Sequence, residues 1–176
     1  MKSAADPDGS ARNDTRAVAM LLETQVRQGR LAEARAYLDG LLVERPEDRA
    51  PLQRFETHVH QAQGALRLVE VYGGALLAEE MELTSRWLAG SETDARQFAD
   101  GLDALMRASV QLPTYLERVL GGGRDLALVL LPLLNDLRAV RGAPLLSEGT
   151  LLSLNLSSEM APAWQGTAAP DAKLTI

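Results

Sequence analysis

A chain of 176 residues with 46% hydrophobic but only 4% aromatic residues has room for one domain, and its core must be built from Leu, Val and Ala, the residues that fill seams between helices. A net charge of -6 with no cluster of Lys and Arg excludes a nucleic-acid partner, which would need phosphate-neutralising cations in one place. The absence of cysteine excludes disulfides and thiolate metal sites and fits a reducing cytoplasm.

The amino terminus, MKSAADPDGSARNDTR, has no apolar run for export, and residues 1–12 are expected to be disordered. A helical bundle is expected over 13–156. Val18, Leu21, Leu22 and Val26 place a first helix between about Asp14 and Gly29. Leu31, Ala34, Leu38 and Leu41 place a second from Leu31 to about Val43, stopped by Pro46.

Glu47, Asp48 and Pro51 mark the start of a third helix running to about Tyr72. Its apolar positions Leu52, Phe55, Val59, Ala62, Leu66 and Val69 alternate in steps of three and four, the seam of a helix packed lengthwise on its neighbours. Gly73-Gly74 reads as a chain break, followed by a helix through Leu76, Leu77, Met81 and Leu88 to Gly90. Thr93 to about Leu120 reads as one helix that Pro113 should kink or divide. Gly121-Gly122-Gly123 reads as a hinge, and a last helix runs from Asp125, its cap, to Val140, with Pro132 as a second kink and Gly142 as the stop. Leu151 to Leu156 is expected as an extended cover on the bundle, and 157–176 as an Ala/Pro-rich linker. The apolar stretch Leu126 to Leu134 falls short of the roughly 20 residues of a membrane span. The fold class is therefore all-α, an up-and-down antiparallel bundle of five or six helices.

Chemistry has few places to reside. The two histidines, His58 and His60, stand about 200° apart on a helix and cannot chelate one metal together. No nucleophile, base or nucleotide-binding motif comes together in the sequence, so neither enzymatic activity nor a cofactor is expected. Glu79, Glu80 and Glu82 read as a solvated acidic run whose functional use would be contact with a partner protein.

His60 projects roughly 130° away from the seam, toward solvent, and Gly64 one turn later leaves space beside it. An exposed imidazole beside a small residue suits phosphoryl transfer, which needs room for a donor to approach in line. An inert surface histidine satisfies the same pattern. Gln63, also one turn away, offers a hydrogen bond but no positive charge.

His60-Gln61-Ala62-Gln63-Gly64 resembles the H-x-x-K-G pattern of histidine phosphotransfer (Hpt) domains, with glutamine in place of lysine. The longer stretches THVHQAQGALRLVEVYGGALLAEEME, LMRASVQLPTYLERV and DLALVLLPLLNDLRAVRGAPLLSE resemble the amino-terminal Hpt-like module of the ChpA/PilL hybrid histidine kinases, which act in type IV pilus and twitching-motility signalling, and the related FimL scaffold. The resemblance covers roughly residues 50 to 150. It implies an Hpt-like bundle at the start of a larger cytoplasmic protein stationed at the cell pole, with response regulator receiver domains or pilus scaffold proteins as partners. His60 falls at the phospho-accepting position and Gly64 at the small-residue position. Gln63 departs from the lysine that steadies the phosphoryl group, which favours a non-catalytic interaction module over an active phosphorelay through His60.

Overall fold

The computed structural model describes residues 49–159, preceded by isolated positions at 20, 35, 36, 39 and 40. The first two predicted helices, the amino-terminal segment and the tail beyond Glu159 lie outside the described residues. Within them the fold is all-α: α1 (Ala50–Leu68), α2 (Tyr72–Gly90), α3 (Ala95–Leu120), a 3₁₀ turn (Ala127–Leu130), α4 (Leu131–Val140) and α5 (Glu148–Glu159).

Each boundary has a local cause. Pro51 sits in the first turn of α1, where its missing N–H costs no hydrogen bond. Asp94 and Gln97 form a reciprocal capping box at the start of α3. At the ends of α1, α3 and α4 the chain closes with the same paired hydrogen bonds, a Schellman motif: Val71 N–H to Leu66 O (3.0 Å), Gly123 N–H to Arg118 O (2.9 Å) and Ala143 N–H to Arg138 O (2.9 Å). The left-handed residue of these turns is Gly122 and Gly142 in two cases, but Glu70, at φ 59°, in the first.

Several expectations are corrected here. The first break falls at Glu70, and Gly73-Gly74 lies inside the first turn of α2. Gly121-Gly122-Gly123 is a hydrogen-bonded helix cap, so the hinge reading fails. Pro113 does not divide α3, which continues unbroken for 26 residues. Pro132 opens α4 after the 3₁₀ turn and kinks nothing. Leu151 to Leu156 is helical: Ser147 Oγ accepts the Thr150 N–H at 3.1 Å and starts α5, whose Leu151 is buried against the bundle.

α1, α2 and α3 run antiparallel in turn. Arg67 meets Glu79, His60 meets Glu82, and the Ser85 hydroxyl donates to Leu52 O, so α1 and α2 descend past each other as a hairpin. The neighbours of Gly101 and Gly74, which are Leu88 and Leu116, give the same sense for α2 and α3. α2 lies between α1, α3 and α4 and is buried on almost every side. The seam predicted for α1 is the buried one, with Leu52, Phe55, Val59, Ala62 and Leu66 all essentially inaccessible. They join a leucine-rich core whose largest member is Tyr115.

Candidate functional site

His60 emerges from the middle of α1 with its side chain 67% exposed, while the Glu82 side chain that meets it from α2 is 10% exposed. His60 Nδ1 lies 3.1 Å from Glu82 Oε2. A carboxylate accepts only, so Nδ1 carries a proton, and in the neutral imidazole Nε2 is the nitrogen left with the lone pair. The other Glu82 oxygen accepts from Arg86 Nη2 at 2.6 Å, and Arg86 Nε donates to Glu56 at 2.9 Å. The hydrogen bond to Glu56, ahead of that to Glu82, raises the Arg86 pKa further above its ordinary range. His60, Glu82, Arg86 and Glu56 thus form a chain of alternating donors and acceptors across the α1–α2 seam.

Gly64 shares the open face with His60. A side-chain carbon added there would meet nothing within 4 Å among the described residues, so no packing among them requires glycine. Arg67 and Leu68 continue the face, Arg67 paired with Glu79 at 3.3 Å and Leu68 81% exposed. Beyond Arg67 and Glu79 a groove of about 340 Å³ opens between Tyr72, Leu76, Ala127, Leu151 and Leu154.

The structure does not bring all the sequence candidates to this face. Gln63 is buried, because a three-residue step from His60 turns it back by about 60° toward the seam. The reading of Glu79, Glu80 and Glu82 as one solvated acidic run is corrected as well. Glu79 and Glu82 point to α1, Glu79 half-exposed and Glu82 nearly covered. Glu80 faces the opposite way, 2% exposed, and is clasped by Arg138 and Arg141 of the α4 end. Burial outweighs the attraction of Glu80 and lowers the Arg141 pKa.

Glu56 and Arg86 are the site residues that sequence reasoning missed; Glu82 was named, but not as the partner of His60. The spacing of four between Glu82 and Arg86 was visible. Their meeting with His60 depends on the register of the α1–α2 hairpin, which the turn at Glu70 sets.

No family model matches the chain, and no solved structure matches it. It is 30% identical over 133 residues to the scaffold protein FimL of Pseudomonas aeruginosa PAO1, a match covering 75% of this chain and 23% of that protein. The chain therefore spans about a quarter of the length of this curated relative. Residues 49 to 176 are too few to hold the match, so the similarity reaches upstream of α1.

Proposed function

We propose that this chain is a non-catalytic, Hpt-like protein-interaction module of scaffold type, acting in type IV pilus chemosensory signalling at the cytoplasmic face of the cell pole. Its docking surface is the α1 face bearing His60, Gly64 and Leu68, with Glu79 at the edge and Glu82 holding His60 in place. The observation that carries this reading is Gly64, a helix-interior glycine that costs about 1 kcal/mol relative to alanine although nothing among the described residues occupies the space beside it. An approaching protein surface would use that space. The similarity to a scaffold protein supports the same reading.

The partners proposed are response regulator receiver domains or pilus scaffold proteins. Purified candidates of both kinds, tested by pull-down and calorimetry, should bind the wild-type chain, and binding should survive in the His60→Gln variant, which cannot accept a phosphoryl group. Gly64→Tyr, whose Cβ would meet nothing within 4 Å among the described residues, should weaken binding by at least about tenfold, or roughly 1.4 kcal/mol. Equal binding by Gly64→Tyr and wild type would remove the docking face from this position.

A second reading, phosphotransfer through His60, has its own support in the Glu82 contact, which in the neutral imidazole puts the proton on Nδ1 and the lone pair on Nε2, in a side chain that is 67% exposed. In that reaction Nε2 would displace the carboxylate of an aspartyl phosphate, forming the N–P bond as the P–O bond breaks. Incubation with a phosphorylated receiver, or with a cognate kinase and ATP, would then yield acid-labile label that His60→Gln abolishes. No label on the wild type, under conditions that label a neighbouring Hpt domain, would end this reading.

A further inference from the structure

The groove of about 340 Å³ lies where α1, α2, the 3₁₀ turn and α5 meet. Ala75 and Ala127, both buried, form its floor, and side chains this small leave a hollow that larger ones would fill. Leu151 closes one side, while Tyr72 and Leu154, 39% and 50% exposed, stand at its rim. Walls drawn from four elements make the space concave, and its volume is at the lower end of the roughly 300–1,000 Å³ of small-molecule sites. The lining suits a molecule with an apolar body.

Charge enters at one place. Arg67 of α1 and Glu79 of α2 line the same groove and meet at 3.3 Å. A charge-assisted hydrogen bond is about 2.7–2.9 Å long, so this contact is loose. Both side chains are also open to water, 57% and 40% exposed, which screens their attraction. Among the described residues no second acceptor meets the Arg67 guanidinium, whose N–H groups could serve two carboxylates.

A fuller set stands on the same α1–α2 seam. Arg86 bridges two carboxylates, Nε donating to Glu56 at 2.9 Å and Nη2 to Glu82 at 2.6 Å. Arg67 holds Glu79 alone and lines an apolar groove. The groove wall at Tyr72 and Ala75 is the first turn of α2, the positive end of that helix, which Asp125 answers at Gly73. An anion is therefore favoured there over a cation.

We infer that this groove binds a small monocarboxylate with an apolar tail, of the medium-chain fatty acid class, its tail over Ala75 and Ala127 and its carboxylate on Arg67. Arg67 then bridges Glu79 and the ligand as Arg86 bridges Glu56 and Glu82. Because Glu79 opposes the ligand's charge, the preference for an acid over a neutral molecule of the same length is modest. The site needs neither His60 nor a protein partner.

The ligand class is tested on the full chain with three eight-carbon probes, octanoate, 1-octanol and octylammonium. In titrations followed by ¹⁵N–¹H correlation spectra, octanoate should shift Tyr72, Leu76 and Ala127 and bind at least about fivefold more tightly than either of the others. Arg67→Gln should bring octanoate down to the level of octanol and leave octanol unchanged. Leu154→Trp, at a half-exposed rim position that the fold does not depend on, should fill the groove and weaken octanoate and octanol alike. Equal affinity for octanoate and octanol would overturn the inference, as would a preference for the acid that survives Arg67→Gln. So would the absence of shifts at these residues up to about 10 mM octanoate. A partner protein that shifts them where octanoate does not would give the groove to protein docking instead.

Discussion

Asp125 caps a helix to which it does not belong: both its carboxylate oxygens lie 3.1 Å from the backbone N–H of Gly73, in the first turn of α2 and 52 residues away in sequence. The sequence assigns Asp125 to the start of the last helix, but the structure spends its charge on the positive end of the central one. Tyr115 donates its hydroxyl to the same carboxylate, so α2, α3 and the segment before the 3₁₀ turn are tied at one point.

That junction explains why Gly73 is glycine and yields a contrast with Gly64. A side-chain carbon at Gly73 would lie 2.5 Å from both Asp125 Oδ1 and the Tyr115 hydroxyl. Helix propensity alone favours alanine at either position by about 1 kcal/mol. At Gly64, with open space, Gly64→Ala should raise stability by about 0.5–1 kcal/mol. At Gly73 the clash wins, and Gly73→Ala should lower stability by about 1–3 kcal/mol. Urea denaturation of the two variants checks both signs.

The same junction gives the fold an alkaline limit. Burial, followed by the hydrogen bond to Asp125, raises the Tyr115 pKa well above its ordinary value of 10.0. A group with a raised folded-state pKa contributes its stabilisation fully below the unfolded value and loses it as pH climbs toward the folded one. Stability should therefore fall as pH rises above about 10. In Tyr115→Phe that part of the fall should be missing, although the variant starts less stable. Urea midpoints measured from pH 8 to 11 for both proteins test this.

The legible part of the fold is the part written locally. α1 announces itself through the steps of three and four from Leu52 to Leu66, and Gly142 ends α4 where a left-handed residue is needed. The α1–α2 turn is hidden because Gly73-Gly74 is a stronger local break signal than Glu70, while the glycine at Gly73 answers to Tyr115 and Asp125, partners distant in sequence. α5 is hidden because Leu151, Leu152 and Leu154 carry no clear helical or alternating pattern, and only the Ser147 cap decides. At the candidate site, one helix's angular arithmetic suffices for the outward placement of His60 and Gly64. The Glu82 contact needs two helices in register.

Glu70 holds its left-handed conformation without the freedom of glycine, at a cost of about 1 kcal/mol or more. Its N–H donates to Arg67 O at 3.2 Å, and Val71 packs beneath the turn, so the surroundings hold it there. Glu70→Gly should raise stability by about 0.5–1 kcal/mol, the relief of strain exceeding the added chain entropy of glycine. Thermal and urea unfolding would show it, and a loss of stability would mean that the Glu70 side chain contributes more than its backbone costs.

Glu80 is where the last part of the bundle is most exposed to damage. Removing the carboxylate in Glu80→Ala strands Arg138 and Arg141, whose side chains are 21% and 13% exposed, against the covered end of α4. Breaking a buried ion pair on one side costs about 3–5 kcal/mol, so this variant should be among the least stable point mutants of the domain. Denaturant unfolding checks the magnitude. Adding Arg138→Leu and Arg141→Leu should restore part of the loss, because the penalty comes from unpaired charge more than from missing attraction.

The His60–Glu82 contact makes a prediction about a proton's position that either functional reading can use. With Glu82 accepting from Nδ1, neutral His60 should populate mainly the tautomer protonated at Nδ1, the minor one for free imidazole in water. Long-range ¹⁵N–¹H correlation spectra above the imidazole titration range distinguish the two nitrogens directly. Glu82→Gln should shift the population toward the Nε2-protonated form, because an amide can donate as well as accept. Arg86→Ala should loosen Glu82 and produce a smaller shift of the same sign. If wild-type His60 shows the free-imidazole tautomer ratio, Glu82 does not orient it, and the case for an accessible Nε2 lone pair falls with that contact.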